Sequence, residues 1–206
     1  MTCRISTGAE ASCTGDLWGW IMNPLLFVSS VACGRSSSPV APDPVVLDQQ
    51  YVFACGRWSP EEPPVTRALV DLRMRGQTVD GRPTPEAIGA ITAAGGRIAY
   101  VYNVPIVRAE MDLHRAASLV DLARGPASYA KTVTAPAVFD VDIIVILSHP
   151  LTEADLDNVR ALGGTIKFEY QTLPGYAARV SDRIVPAIRA LAGVKSLEGD
   201  GIVCPF

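Results

Sequence analysis

The most distinctive residues for chemistry stand at the C-terminal end of the chain. Glu198 and Asp200 are separated by one glycine and are followed by the six residues 201–206 (GIVCPF), which end on the aromatic Phe206. Taken alone, the acid pair is typical of a solvated turn. An extended tail with a large terminal side chain, however, can enter a protease cleft in the way that a cleaved product does. The C-terminus is therefore a candidate binding segment.

The remaining residues do not indicate a catalytic or metal centre. His114 and His149 stand in no pattern that predicts a Ser-His-Asp triad. The loop 148–150 (SHP) lacks the arginine that an acylphosphatase-type phosphate loop would need. None of the five cysteines forms a CxxC pair, and both histidines lie far from them in sequence. We therefore expect a protein that is not an enzyme and holds neither metal nor cofactor.

The N-terminal residues 1–33 have the character of an export leader. An apolar segment, 17–32, runs into Cys33 and is followed by a polar, proline-rich stretch, which is similar to a bacterial lipoprotein signal with Cys33 as the lipidated residue. Ser30, where leucine is usual, and the single basic residue Arg4 depart from that pattern. The prediction is export to the cell envelope or the extracellular space, with a linker over 34–64.

If the protein is exported, two cysteines other than the lipidated Cys33 reach an oxidising compartment. Removal of the leader would take Cys3 and Cys13 away, so that Cys55 and Cys204 remain. A disulfide between these two would hold the tail in place, whereas two free thiols would leave the tail able to insert into a cleft. The sequence leaves both states open.

The composition restricts the partners that are plausible. Of 206 residues, 49% are hydrophobic and 19% are charged, which suits packed globular domains. The net charge is −3, and the 18 basic residues are scattered singly, so no nucleic-acid-binding stripe is predicted. No run of eighteen uninterrupted apolar residues predicts an ordinary membrane-spanning helix.

The chain repeats itself. The glycine pairs at 95–96 and 163–164 stand 68 positions apart, and each is preceded by a strand and a helix and followed by a hairpin, a helix and a strand. This pattern predicts an α+β fold of two tandem ferredoxin-like (βαββαβ) domains with antiparallel sheets, over 65–138 and 139–206, after a disordered or signal-like N-terminus.

The second domain is the more regular of the two. Its predicted elements include an apolar strand over 142–147 and a helix that begins at a Thr152–Asp155 capping box. Ser181 or Asp182 is expected to cap its second helix, as Thr84 is expected to cap a helix of the first domain. Both helices should cover the same face of the sheet. The alternation in the second strand would then leave Thr165, Lys167, Glu169 and Gln171 on the uncovered face, either solvated or available for docking.

Residues 140–206 resemble the subtilisin propeptide family, which includes free-standing peptidase inhibitors. The resemblance is carried by GGTIKFEYQTLPGYAARVS, by RALAGVKSLE and by the tail EGDGIVCPF, while 65–138 shows only a degenerate form of the pattern. It implies an inhibitor, or a propeptide chaperone, of a subtilisin-like serine protease.

The resemblance also implies roles for individual residues. Glu198 and Asp200 would cap the N-termini of two protease helices, where unpaired N–H groups favour anions. Phe206 would fill the primary specificity pocket and Val203 a second apolar pocket, with Cys204 and Pro205 between them. Lys167 and Glu169 would belong to the docking face. The first domain has Ala130 and Thr132 where the second has its acid pair, so no inhibitory contact is expected from it.

Two other functions fit the same pattern. A tandem ligand-binding module of the amino-acid-sensing type shares the duplicated βαββαβ arrangement. A non-inhibitory surface lipoprotein could use both sheets to hold a partner that is not a protease. The fold alone does not separate these from an inhibitor.

Overall fold

The computed structural model describes residues 43–75, 80–120, 127–134 and 139–202. The chain divides into two compact units, Met1–Val40 and Ala41–Phe206, and every described residue belongs to the second. This second unit is an α+β structure with two antiparallel sheets and few helices, so the predicted fold class is confirmed at that level. Within the described ranges, no helix has the length and apolar character needed to cross a membrane.

The first sheet has six strands. In chain order its elements are β1 (Val52–Ala54), β2 (Arg57–Ser59), β3 (Arg67–Met74), α1 (Pro85–Ala93), β4 (Arg97–Val101), β5 (Ile106–Asp112), α2 (Leu113–Leu119) and β6 (Ala127–Thr132). The strands lie in the order β2-β1-β6-β3-β5-β4. β3 alternates buried and half-buried residues, as expected for a strand with one face on a core.

The second sheet has four strands. Its elements are β7 (Asp140–Leu147), α3 (Glu153–Ala161), β8 (Thr165–Glu169), β9 (Gly175–Ser181), a 3₁₀ turn (Asp182–Ile184), α4 (Val185–Arg189) and β10 (Val194–Gly199). The strands lie in the order β10-β7-β9-β8, which matches the order β6-β3-β5-β4 of the first sheet. We call β3–β6 the first copy and β7–β10 the second copy.

The two copies use the same glycines for the same local structure. Gly95 and Gly163 end α1 and α3 with φ of 82° and 90°, the left-handed conformation that glycine adopts without steric cost. The next residue in each copy approaches the preceding helix so closely that a Cβ would lie 2.6 Å from a side-chain methyl. Those methyl groups belong to Ile91 for Gly96 and to Val159 for Gly164. The predicted repeat is therefore present in the packing as well as in the sequence.

The cores of the two copies are joined by one loop. Each sheet packs its helices over its own hydrophobic cluster. Tyr102, Val104 and Ile106, from the loop between β4 and β5 and the start of β5, are nevertheless buried in the cluster of the second copy. A fully buried side chain of this size contributes about 1.5–3 kcal/mol relative to an exposed one, so this loop is a substantial part of the second core.

The predicted linker over 34–64 differs from the structure, because 52–59 form the β1–β2 hairpin that pairs with β6. Cys55 and Gly56 make its two-residue turn at φ of 55° and 77°. Phe53 and Trp58 pack edge to face at 5.1 Å and contact the first core. Their apolar surface accounts for an ordered hairpin in a segment whose composition suggests a linker.

Two of the predicted helix N-caps make the expected hydrogen bonds in the structure, and a third does not. The Thr84 hydroxyl accepts a bond from the Ala87 N–H at 3.3 Å, and the Asp155 carboxylate accepts one from the Thr152 N–H at 2.9 Å. Both match the predicted caps. Ser181, at the third start, makes no side-chain capping bond, and the neighbouring Asp182 has another role described below.

Candidate protein-binding face

Helices α3 and α4 pack on one face of the second sheet. Their buried residues share a core with alternate positions of β7, namely Val141, Ile143, Val145 and Leu147. The residues between these positions point to the opposite side, which we call the helix-free face. Through cross-strand pairing this face carries Asp142, Ile144, Ile146, Ala177, Arg179 and Glu198.

Strand β8 contributes to the helix-free face differently from the prediction. A β-bulge between Ile166 and Phe168 shifts the pairing by one residue, so that Phe168 lies opposite Ala177. Phe168 therefore faces the helix-free side, where 56% of it is exposed. Glu169 is moved to the helix-covered side, and the prediction that it shares a face with Lys167 is wrong. A bulge at the same place in β4, between Ile98 and Tyr100, is a further mark of the repeat.

Lys167 lies on the helix-free face as predicted, in an ion cluster. Arg179 donates through Nε and Nη2 to the Asp142 carboxylate, both at 2.9 Å, and Lys167 Nζ lies 3.2 Å from it. Burial alone would raise the pKa of Asp142, but the bonds from the two cations outweigh it and leave the pKa below its ordinary value. Lys167 thus already has an anionic partner.

The acid pair lies at the end of β10 on the same face. Glu198 is exposed and pairs with Ile144, while Asp200 is half-buried and donates its N–H to the Asp142 carbonyl at 2.8 Å. The Asp200 carbonyl accepts a bond from the Tyr129 hydroxyl at 3.4 Å. Burial raises the pKa of that tyrosine to about 12, so the hydroxyl keeps its proton. The backbone that presents the two carboxylates is therefore fixed on both sides.

The acid pair also borders the first copy. A cleft of about 600 Å³ is lined by Glu198 and Asp200 on one side and by Arg73, Arg75 and Ser128 on the other. The sequence reasoning missed the two arginines, because nothing in their spacing relates them to residues more than 120 positions away.

Gly201 lies against the side chain of Arg73. A Cβ at Gly201 would overlap the Arg73 guanidinium, so a larger residue there would require this flexible side chain to move. Ile202, the last described residue, is 47% exposed and lines the same cleft. The predicted tail positions Val203, Cys204, Pro205 and Phe206 and the predicted lipidation site Cys33 lie outside the described residues.

Asp182 joins the two copies, which the sequence did not reveal. Its side chain is fully buried and accepts hydrogen bonds from the Asn103 N–H at 2.7 Å, from Asn103 Nδ2 at 3.0 Å and from the Tyr100 hydroxyl at 2.9 Å. Arg189 donates to the Asn103 carbonyl at 2.9 Å. Burial, together with the bond to Asp182, raises the pKa of Tyr100. Because an aspartate at the start of a helix usually caps that helix, the sequence predicted a local role for Asp182 and not a contact with the first copy.

Comparison of the chain with protein-family models, with curated proteins and with solved structures gives no match.

Proposed function

We propose that the second copy binds a subtilisin-like serine protease and inhibits it, or serves as its propeptide chaperone, with residues 201–206 entering the active-site cleft. One observation carries this proposal above all. Glu198 and Asp200 stand together at the end of β10, on the face without helices and directly before the tail. Anionic anchors and an insertable segment are thus adjacent.

The topology supports the same function. Each copy has the order β-α-β-β-α-β along the chain and the strand order fourth-first-third-second, as in a ferredoxin-like split βαβ arrangement. This is the fold implied by the resemblance of 140–206 to subtilisin propeptides. In that arrangement one sheet face is left for a partner, and here the helix-free face takes that place.

The chemistry of the helix-free face suits helix ends on a partner. The first N–H groups of a helix are unpaired and carry partial positive charge, which a carboxylate stabilises. Glu198 is exposed and can reach such a group directly, while the backbone of Asp200 is held by its bond to Asp142. Phe168, mostly exposed, adds apolar contact area on the same face, at the opposite edge of the sheet.

The tail would act by occupation alone. Residues 201–206 would lie along the protease cleft as an added strand, with Val203 and Phe206 in apolar pockets. Cys204 and Pro205 lie between these two anchors in the sequence. No covalent step is required from this chain.

We also propose that the protein is exported and held at the cell envelope by lipid on Cys33. The disulfide at Cys55 supports an oxidising compartment, because such bonds are rare in reducing cytoplasm.

The decisive experiment is an inhibition assay with the purified full chain. Subtilisin is titrated with the protein, and a chymotrypsin-type serine protease is titrated in parallel as the control for specificity. Saturable inhibition of subtilisin with weaker or no inhibition of the control enzyme supports the proposal. Unimpaired subtilisin at a large excess of the chain, in both reduced and oxidised form, contradicts it.

A second candidate is supported by the cleft between the copies. Arg73 and Arg75 face Glu198 and Asp200 across about 600 Å³, which is large enough for a small ligand that carries both charges, such as an amino acid. Calorimetric titration with the common amino acids tests this function. Heat of binding without any effect on subtilisin would favour it over the inhibitor.

A further inference from the structure

The face of the first copy that points away from its helices is covered, whereas the helix-free face of the second copy is open. Arg108 and Glu110 alternate with the core residues of β5, so they point away from α1 and α2, and both are buried. Phe139 packs on Tyr100 at this face, with ring centroids 4.1 Å apart. Phe168 follows the equivalent bulge in the second copy and is mostly exposed. The repeat thus shows a face of this kind covered in one copy, and the described residues leave it open in the other.

Cross-strand pairing arranges the middle of the helix-free face in rows that run from β7 to β9. In each row one strand carries an acid or a branched side chain, and the other carries a base or a small residue. The pairs are Asp142–Arg179, Ile144–Ala177 and Ile146–Gly175. A sheet with this pattern is complementary to a second sheet of the same kind in which β7 and β9 have exchanged places.

The two edges of the helix-free face carry opposite charges. The exposed Glu198 lies on β10 at one edge, and the exposed Lys167 lies on β8 at the other. Three strand spacings of about 4.8 Å separate these edges, roughly 14 Å in all, so the two side chains do not meet within one molecule. Asp200, half-buried at the cleft beside the first copy, is not counted here. The charge pattern therefore favours contact with a second molecule that presents its edges in reverse order.

We propose that two molecules of this protein pack these faces against each other about a two-fold axis parallel to the strands. The rotation places β7 over β9 of the second molecule and β10 over β8. The resulting contacts are Ile144 on Ala177, Asp142 on Arg179, and Glu198 on the bulge that carries Lys167, each made twice. A two-fold axis across the strands would instead place β10 on β10 and bring the two Glu198 carboxylates together, which like-charge repulsion opposes.

The size of the face predicts a weak dimer that depends on concentration. Four strands about 4.8 Å apart, each contributing roughly five residues, cover on the order of 300 Å². This is well below the roughly 800 Å² that each partner buries in an interface of standard size. We therefore expect a dissociation constant of roughly 10–100 μM.

The dimer would also regulate the proposed inhibitor, a consequence that rests on the proposed function. Glu198 and Phe168 lie on the face that the second molecule covers, so the dimer and a protease would compete for it. Only the free monomer would then dock. The dimer itself does not depend on that function.

Sedimentation velocity of the purified full chain tests the dimer without any protease present. Between roughly 5 μM and 500 μM the wild type should change from monomer to dimer. Glu198→Lys alone and Lys167→Glu alone should each raise the dissociation constant at least tenfold, because each places like charges in contact. An equimolar mixture of the two variants should associate again as a heterodimer, since every contact then joins a cation to an anion. Glu153→Lys, at an exposed acid on α3, is the matched control and should leave association unchanged.

A further variant guards against loss of the fold. Lys167→Glu also removes a contact with Asp142, so Phe168→Ser, at an exposed residue of the same bulge, provides a second way to weaken the dimer. Urea unfolding checks that each variant is folded. A wild type that stays monomeric over the whole range overturns the proposal. Association that neither Glu198→Lys nor Phe168→Ser weakens, or a mixture that associates no better than its components, overturns it as well. The subtilisin assay decides the proposed function separately.

Discussion

The backbone N–H of Asn103 donates to the buried carboxylate of Asp182 over 2.7 Å, although the two residues are 79 positions apart. The Tyr100 hydroxyl and Asn103 Nδ2 bond the same carboxylate. Asp182 thus satisfies three donors from the β4–β5 hairpin of the first copy at the start of the second helix of the second copy. The two copies are held together by a polar bond network as well as by their shared core.

Replacing Asp182 with alanine should destabilise the protein strongly. The change leaves buried donors without an acceptor, at a cost of about 1–3 kcal/mol for each group that water does not reach. Because three donors lose their acceptor together, we expect a loss of roughly 3–5 kcal/mol in the free energy of unfolding. Urea denaturation measures it. Asp157→Ala, an exposed acid on α3, is the control and should change stability by under about 1 kcal/mol.

The sequence predicted elements better than it predicted faces and junctions. The strands, the glycine helix ends and the caps at Thr84 and Thr152 follow from local patterns, and the structure contains them. The bulge at Lys167 could not be predicted, because the alternation of residue types along β8 is the same whether or not one residue is left out of the strand pairing. Asp182 escaped for a different reason, since its partners are distant in the chain while its sequence position suggests a local cap.

The candidate site was predicted only in part for the same reason. Glu198 and Asp200 follow each other in sequence, so their shared face could be inferred from the strand before them. Arg73 and Arg75, which face them across the cleft, come from the other copy. Only the packing of the two copies, through the β4–β5 loop, brings these charges together.

Two glycines in different surroundings, Gly164 and Gly89, predict opposite effects on stability for their alanine substitutions. At Gly164 a Cβ would lie 2.6 Å from a methyl of Val159 and 3.1 Å from its carbonyl oxygen. Gly164→Ala should therefore cost about 1–3 kcal/mol through overpacking. At Gly89, inside α1, nothing lies within 4 Å of the added Cβ, and Gly89→Ala should stabilise by about 0.5–1 kcal/mol. Thermal unfolding of the two variants compares them, and shifts of the melting temperature in the same direction would contradict this account of how the two glycines are packed.

Acid should weaken the protein through the cluster at Asp142. Burial raises the pKa of this carboxylate, but its bonds to Arg179 and Lys167 lower it further, so the folded pKa lies below the unfolded value near 3.9. The stabilisation is therefore complete above that unfolded value and is lost as the pH falls through the folded pKa. Burial would also raise the pKa of Glu110, but the bonds from Arg97 and Arg67 outweigh it and leave the pKa below its ordinary value. Protonation of Glu110 therefore weakens the fold over the same acidic range.

The Arg179→Met variant isolates the contribution of Asp142 to this acid sensitivity. Without the guanidinium, the pKa of Asp142 rises toward its unfolded value, so protonation of Asp142 lowers the free energy of unfolding by less than in the wild type. Unfolding free energies measured from pH 7 to pH 2 should show the variant less stable at neutral pH, with the gap narrowing as the pH falls. Arg160→Met, at an exposed ion pair on α3, serves as the control with a smaller gap. A constant gap for Arg179→Met across the whole range would contradict the assigned ion cluster.

Removing Pro205 and Phe206 should abolish most of the proposed inhibition. The deletion takes away the residue assigned to the primary pocket but keeps Cys204, so any disulfide at that cysteine is preserved. We expect the inhibition constant for subtilisin to rise about a hundredfold or more, with the urea unfolding curve unchanged. The inhibition constants of the full chain and of the truncated variant are measured with dithiothreitol present, so that no disulfide affects the comparison. An inhibition constant equal to that of the full chain would show that the tail does not enter the cleft.

Replacing the acid pair tests whether the platform, as distinct from the tail, contributes to binding. The double variant Glu198→Ala/Asp200→Ala removes two anions proposed to cap protease helices, at a cost of about 1–3 kcal/mol or roughly 5- to 150-fold in the inhibition constant.

The matched control is Glu153→Ala/Asp157→Ala, which makes the same change of charge on α3, on the helix-covered side of the sheet. If the two double variants weaken inhibition equally, the effect comes from net charge and the capping role is wrong. If only the Glu198/Asp200 variant weakens it, and the loss persists at high salt, short-range bonds to a partner are responsible, because long-range attraction between exposed charges is screened under those conditions.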